Sequence, residues 1–259
     1  MRRSLNASTA ALIAAVSVSG AARAQEALPA VSGLNGKFSL ESGVEGDSGK
    51  TTALGLASGS ISTPLGHAFG LQLDGSALQA VDGFTGGGTA HLFWRDPAVG
   101  LLGPFATVEG TAEGRMGWYG GEAELYAGLV TLGAAAGYWD AAASVLRAQS
   151  GGFWNGHVSL YPMPDLALTA GVESMVGRVS AVGGLEYQPT LFRQHNMSFF
   201  VNAAAGDQSS YSVTAGIRFY FGADKTLIRR HREDDPVTLD LWGPGVWLVC
   251  DFYPAACGF

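Results

Sequence analysis

Apolar residues alternate with small or polar ones along most of this chain in short runs, and a cluster of turn-forming residues ends each run. The final run is the clearest. Val213, Ala215, Ile217, Phe219 and Phe221 fall on one side of a two-residue period, with Ser212, Thr214, Gly216 and Arg218 on the other. That is the period of a β-strand, whose successive side chains point to opposite faces. The run before it sets Phe199, Val201 and Ala203 opposite Asn202, and another sets Leu166, Leu168, Ala170 and Val172 opposite Thr169 and Glu173. Tyr119, Ala123 and Leu125 oppose Glu122 and Glu124. A slip of one residue would exchange the two faces, so the pattern also sets the register.

Twelve such runs predict strands centred on residues 34–43, 52–61, 69–78, 86–94, 102–111, 117–126, 130–138, 152–161, 166–173, 179–187, 197–205 and 211–221. Each is close to the ~9–11 residues that a tilted strand needs to cross a bilayer. Prolines gather at alternate reversals, in Thr63-Pro64-Leu65-Gly66, Arg95-Asp96-Pro97, Pro162-Met163-Pro164-Asp165 and Gln188-Pro189-Thr190. At the one remaining reversal of this set, Ala127-Gly128, glycine takes the place of proline. An even number of strands of this kind predicts an all-β fold, a transmembrane antiparallel up-and-down β-barrel of about 12 strands.

The ends of the chain differ from this body. Residues 1–24 read as an export signal: Arg2 and Arg3 precede a short apolar stretch from Ala10 to Val18, and Ala22-Arg23-Ala24 is a small-x-small cleavage site. The apolar stretch is well short of the ~20 residues that a spanning helix requires. Residues 25–222 form the predicted barrel. Residues 223–259 form a predicted C-terminal extension, charged and then apolar. The segment 225–236 is too dense in charge to face lipid, and the apolar piece beyond it is broken by Pro244 and Pro254. Cys250 and Cys257 lie in that piece, where an oxidising compartment allows a local disulfide.

Composition agrees with a barrel wall. Charged residues make up 14% of the chain, against ~25% in soluble domains. Glycine, at 38 of 259 residues, is about twice its average usage. Removing Arg2, Arg3 and Arg23 with the leader leaves 12 of the 15 Lys+Arg against 22 Asp+Glu, a net charge of −10. Such an acidic chain excludes nucleic acid as a partner class. The expected partners are outer-membrane lipid and the machinery that assembles barrels.

Short turns in outer-membrane barrels face the periplasm. Placing the proline turns there makes both termini periplasmic and leaves outer loops at 45–50, 80–83, 113–115, 139–150, 175–177 and 206–209. Of these only 139–150 is long enough to fold over the mouth. Trp94, Trp118, Trp139, Trp154, Tyr126, Tyr138, Tyr161, Tyr187 and Tyr220 lie near strand ends. They read as interfacial girdles, since these rings bury an apolar body and keep a polar tip wet; ordinary aromatic enrichment in strands is the plainer reading.

Three segments carry a resemblance. They are His91-Leu92-Phe93-Trp94-Arg95-Asp96-Pro97 with Gly100-Leu101-Leu102-Gly103, then Gly216-Ile217-Arg218-Phe219-Tyr220-Phe221-Gly222, and LIRRHREDDP from Leu227 to Pro236. Over residues 30–236 the chain resembles a group of porin-like outer-membrane β-barrel proteins of alphaproteobacteria. The resemblance implies a barrel and its location, and no substrate, cofactor or catalytic residue. After Pro236 the chain departs from that pattern. Outer-membrane proteins end in an aromatic strand read by the assembly machinery. Pro254 and Gly258 break the approach to Phe259, so Phe219, Tyr220 and Phe221 are the predicted barrel-closing strand.

The chemistry on offer faces the lumen. By register it carries Lys37, Glu41, Asp74, Arg95, Glu109, Glu122, Glu124, Glu173, Arg178, Glu186 and Arg218, in which acids outnumber bases. Rings of carboxylate favour cations, so one expectation is a narrow, porin-like pore for small solutes. Charges that pair across a filled interior would instead give a non-conducting structural barrel that anchors the envelope. His157 and Ser159 invite comparison with outer-membrane lipid hydrolases, but Leu160 and Tyr161 stand where those enzymes place asparagine and glycine, and the pair falls on the lumen face. No catalytic residue is therefore assigned. His67, His91, His195 and His231 are dispersed and form no metal spacing, and Gly86-Gly87-Gly88 lacks the lysine and helix of a phosphate loop. No cofactor and no metal is expected. The sequence leaves the oligomeric state open.

Overall fold

The computed structural model describes residues 28–47, 49–80, 83–110, 114–143, 149–193 and 195–234. Residues 1–24, expected from the sequence to be an export signal, and the chain after Asp234, with Cys250 and Cys257, lie outside the described residues. Twelve strands run β1 (Asn35–Asp47), β2 (Lys50–Leu65), β3 (Phe69–Ala80), β4 (Gly83–Asp96), β5 (Gly100–Gly110), β6 (Gly114–Ala127), β7 (Val130–Ala143), β8 (Gln149–Met163), β9 (Leu166–Met175), β10 (Arg178–Tyr187), β11 (Met197–Gly206) and β12 (Tyr211–Phe221). Each pairs antiparallel with its sequence neighbours, and β1 pairs with β12 to close the barrel. The helix α1 (Thr190–Arg193) lies between β10 and β11, and α2 (Leu227–Glu233) comes after β12.

The two-residue period decides what each face meets. On β12, Val213, Ile217, Phe219 and Phe221 point outward and are exposed, whereas Ser212, Arg218 and Tyr220 point inward and are buried. The cross-strand pairs Leu40–Ile217 and Ser39–Arg218 carry this alternation across the seam into β1. Large apolar side chains from every strand line the outside in the same way. In a lipid wall that exposure is burial, because the alternative solvent is hydrocarbon.

Among the described residues, tight turns join β6 to β7 at one end of the barrel and β9 to β10 at the other. The end that carries the first and last described residues also carries the proline turns, and we call it the terminus end. At the reversal without proline, Gly128 has φ +59°, a backbone that glycine adopts freely and that suits a two-residue hairpin. At the opposite end Val176 and Gly177 have φ 51° and 77°, the pair of positive angles that such a hairpin demands. Val176 is β-branched and is strained there.

Two expectations change. First, several strands are longer than predicted. β7 continues to Ala143 and β8 begins at Gln149, so residues 139–143 and 149–150 of the expected loop are strand, and Trp139 stands inside β7. The cause is packing: Trp139 and Ala141 join Trp118 and Phe153 in an inward apolar cluster that keeps the strands paired. Second, the girdle divides. Trp94, Tyr138, Trp154 and Tyr187 are exposed on the outer wall, but Trp118, Tyr126, Trp139, Tyr161 and Tyr220 are buried in the interior. Position near a strand end does not decide the face; parity does. Pro104 stands within β5, inside the strand predicted over 102–111. The β4–β5 ladder lacks its pairings between His91–Phe105 and Trp94–Leu102, as expected where a residue has no N–H to donate.

An arginine on the outer face at Ile217 should destabilise the barrel by about 2–4 kcal/mol if it sits near the bilayer midplane. Chemical unfolding in lipid vesicles, compared with Ile217→Ala, measures it; equal stability of the two variants would show that this face does not meet hydrocarbon.

Candidate functional site

The barrel interior is built by one residue in two from every strand. Lys37, Glu41, Asp74, Arg95, Glu109, Glu122, Glu124, Glu173, Arg178, Glu186 and Arg218 all project into it. Their partners across the ladders, such as Ser39 for Arg218 and Ala167 for Glu186, are themselves inward residues. They do not form one ring. They separate into zones along the barrel axis.

In the middle zone His91 lies between two carboxylates. Its Nδ1 is 2.8 Å from Glu122 Oε1 and its Nε2 is 2.9 Å from Asp74 Oδ2. A ring that donates from both nitrogens satisfies both acids. Gln72 Nε2 donates to Asp74 at 2.9 Å, and Ser62 Oγ donates to Gln72 Oε1 at 2.9 Å, so the chain of bonds crosses from β2 to β6. The ring of Phe105 stacks on His91 at 5.8 Å.

Beside this zone, toward the end opposite the termini, the interior turns apolar. Phe105, Trp118, Trp139 and Phe153 pack together, with Met116 and Met175 against them. Phe105 and Phe153 meet edge to face at 5.9 Å. His157 lies inward between Gly133 of β7 and Gly171 of β9, in space that only glycine leaves: a Cβ at Gly133 would fall 2.2 Å from His157 Cε1. Ser159 Oγ is 2.8 Å from Thr169 Oγ1. Both face the interior, away from any lipid substrate.

Nearer the terminus end, Glu186 is the centre of a second network. It accepts from Ser198 Oγ at 2.5 Å, from Tyr220 O–H at 2.5 Å and from Arg218 NH1 at 2.6 Å. Arg218 Nε donates to Ser39 Oγ at 2.9 Å, and its guanidinium lies 4.6 Å from the centre of the Phe200 ring. In the barrel-closing strand, Phe219 and Phe221 therefore face outward while Tyr220 completes an interior network. Tyr126 O–H donates to Glu124 at 2.7 Å.

At the terminus end, residues 225–234 of the predicted C-terminal extension fold back into the mouth of the barrel. Leu227 is buried against Tyr161, Ala167 and Tyr220. The start of α2 is held by the β8–β9 turn, where Ile228 N–H donates to Pro164 C=O at 3.0 Å. Arg230 NH2 donates to Asn196 Oδ1 at 2.6 Å and stacks over Tyr220 at 4.6 Å. His231 Nδ1 is 2.9 Å from Tyr161 O–H, and its Nε2 is 3.6 Å from Glu186. Arg232 donates to Gly128 C=O at 2.9 Å, Val130 C=O at 2.8 Å and Thr131 Oγ1 at 3.1 Å, with its guanidinium 5.1 Å from the Tyr126 ring. A charge run that lipid forbids is thus satisfied by carbonyls, aromatic faces and a carboxylate.

The strand side of the mouth that α2 leaves uncovered is filled by the segment 28–34, which we call the strap. Ala30 and Val31 are buried there, Val31 among Phe93, Leu101 and Tyr126. Arg95 NH1 donates to Ala30 C=O at 3.1 Å, and Ala30 N–H donates to His67 C=O at 2.7 Å. Strap and helix meet in a clasp. Ser32 N–H donates to Glu233 C=O at 3.0 Å, Ser32 Oγ donates to Asp234 Oδ1 at 2.5 Å, and Lys225 Nζ reaches Asp234 at 2.5 Å and Glu233 at 3.1 Å.

Sequence reasoning missed His91, Glu45, the inward tryptophans and the docked helix. Parity held part of the signal, since Trp118 shares the face of Glu122 and Glu124, and His91 that of Arg95. Among the described residues no group of His, Cys, Asp or Glu could hold a metal ion.

Solved structures similar to this chain are outer-membrane barrels. The KdgM porin superposes with a TM-score of 0.53 at 13% identity, over 71% of this chain and 99% of that one, and its complex with disordered oligogalacturonate gives 0.54 over the same shares. An outer-membrane channel from Pseudomonas putida F1 superposes with a TM-score of 0.52 at 9% identity, over 78% of this chain and 100% of that one. No protein-family model matches the sequence, and no curated protein is significantly similar to it. The chain has the fold of the outer-membrane porins.

The clasp sets an acid limit on docking. Burial pushes the Glu233 carboxyl up, but hydrogen bonds from Arg229 and Lys225 more than offset it, and the group titrates below the ordinary carboxylate range. A carboxyl depressed in the folded state adds stability above its unfolded pKa of about 4. That stability is lost as pH falls through the depressed value. Protection of the α2 amides, relative to their intrinsic exchange rates, should therefore hold from pH 7 to pH 5 and fall below about pH 4. Constant protection down to pH 2 would show that the clasp does not hold the helix.

Proposed function

We propose that this protein is a porin-like outer-membrane barrel through which small solutes pass by passive diffusion. Carboxylates outnumber basic groups on the inward face, with Glu45 adding to the acids predicted from sequence. That excess inside a closed, lipid-compatible wall carries the reading, and it favours cations over anions. Oligogalacturonate, present in the KdgM complex, is itself acidic and suits this interior poorly.

The reading places both termini, and with them the proline turns, on the periplasmic side, after export by the signal at residues 1–24 and insertion by the outer-membrane assembly machinery. The motifs at His91–Pro97, Gly216–Gly222 and Leu227–Pro236 support an origin among the alphaproteobacterial porin-like proteins. The inward placement of His157 and Ser159 supports a role without catalysis. A second reading, a closed structural barrel, is favoured by one observation: α2 and the strap fill the terminus mouth.

In a planar bilayer the protein should give discrete conductance steps, with reversal potentials in a salt gradient showing a modest preference for cations. Anion preference would overturn the electrostatic reading, and complete silence would favour the structural barrel. For topology, a cysteine placed within 144–148 should react with a membrane-impermeant thiol reagent on intact cells, and one at Asp96 should not. The reverse labelling pattern would invert the orientation.

A further inference from the structure

The barrel does not need α2. All twelve strands complete their ladders, including the β1–β12 seam, before the chain reaches Gly222. The segment after the last strand is built differently. Gly222, Ala223 and Asp224 are exposed, and Gly222 has φ +112°, a backbone that other residues rarely adopt. This short link joins a rigid wall to a 7-residue helix. A helix so short has no stability of its own in water. It exists because the mouth holds it.

The holding contacts are of a kind that water can replace. Leu227 is the one fully buried apolar side chain of the helix. The rest of the attachment is polar: Arg232 on the carbonyls of Gly128 and Val130, Arg230 on Asn196, His231 on Tyr161, and the Lys225–Ser32–Asp234 clasp. Each of these groups, donor and acceptor alike, would be solvated at an open mouth. Undocking takes His231 Nε2 away from Glu186, 3.6 Å off, but Glu186 keeps Arg218, Ser198 and Tyr220, so no charge is left unpaired in a dry core, unlike the breaking of Arg218 from Glu186. Helix and strap also divide the mouth between them. The strap seals the β2–β5 side through Ala30 and Val31, α2 seals the β6–β12 side, and the clasp joins the two.

We propose that α2, latched to the strap, is a releasable stopper of the terminus mouth, and that solute passage requires α2 to leave it. This rests on the porin-like reading. The docked form is the resting state, and the released form is a minor one that conducts.

Three proteins test it in planar bilayers, each first checked for a folded barrel by its heat-dependent gel shift. They are the full chain, the chain ending at Asp224, and a Ser32→Cys/Asp234→Cys variant in a Cys250→Ser/Cys257→Ser background. A closed resting state with a minor open form of ~0.1–10% predicts an open probability at least about tenfold higher for the chain ending at Asp224. Oxidising the cysteine pair should suppress steps, and a reductant should restore them. If the full chain conducts as well as the shortened one, the porin-like reading stands and the stopper falls. If the shortened chain is folded and silent, both fall. Should the shortened chain fail to fold, the cysteine variant decides alone: conductance that rises on reduction supports the stopper, and conductance indifferent to the redox state overturns it.

Discussion

A backbone that crosses hydrocarbon must satisfy every N–H and C=O inside the protein, and a sheet does so only when it has no edge. The pairing of β1 with β12, from Gly36–Phe221 to Gly46–Tyr211, is the contact on which this structure depends. Once it forms, the wall is continuous and the two-residue period acquires meaning at every position: apolar groups go out to lipid, and small, polar, charged or aromatic groups go in. Pro104 is the local exception. It faces lipid from β5 with no N–H to give, and the ladder to β4 is interrupted there.

The interior is not a uniform polar channel. An acid–histidine–acid bridge, an aromatic cluster and a carboxylate-centred network occupy separate zones along the axis, and the docked helix closes one end. The aromatic cluster explains why the strands near Trp118 and Trp139 run longer than the membrane requires. The two rings face one another across β6–β7, and their burial stabilises the pairing even where the wall has left hydrocarbon. The Glu186 network is what makes Tyr220 a part of the interior although both of its neighbours, Phe219 and Phe221, serve the lipid face.

Much of the wall was legible. Alternation in 211–221, the proline turns and the glycine at Gly128 point to twelve strands, and the inward charges follow from parity. The rest was not, for physical reasons. His91 reads as an isolated histidine because Asp74 and Glu122 lie on other strands, the latter 31 residues away. Trp118 and Trp139 read as interfacial because nearness to a turn is visible in one dimension; parity already sets Trp118 on the face of Glu122, but Trp139 falls beyond the predicted strand 130–138, and packing against Trp118 is what extends β7 over it. The charge run from Lys225 to Asp234 says plainly that it avoids lipid. It says nothing of a mouth whose acceptors, at Gly128, Val130, Thr131 and Asn196, come from backbone carbonyls and polar side chains that carry no pattern of their own.

The clasp between Ser32, Lys225 and Asp234 has a consequence for how the seam is proofread. The in–out alternation rejects a slip of one residue, because every face would be reversed, but it is blind to a slip of two. A two-residue shift of β12 along β1 keeps lipid-facing groups toward lipid while moving the strap and α2 apart by about 6.6 Å. Hydrogen bonds of 2.5–3.0 Å between Ser32 and the residues at 233 and 234 cannot survive that displacement. The strap and α2 thus act as a vernier: they meet only when the barrel has closed on its intended register, and they discriminate among closures that the hydrophobic pattern itself scores alike.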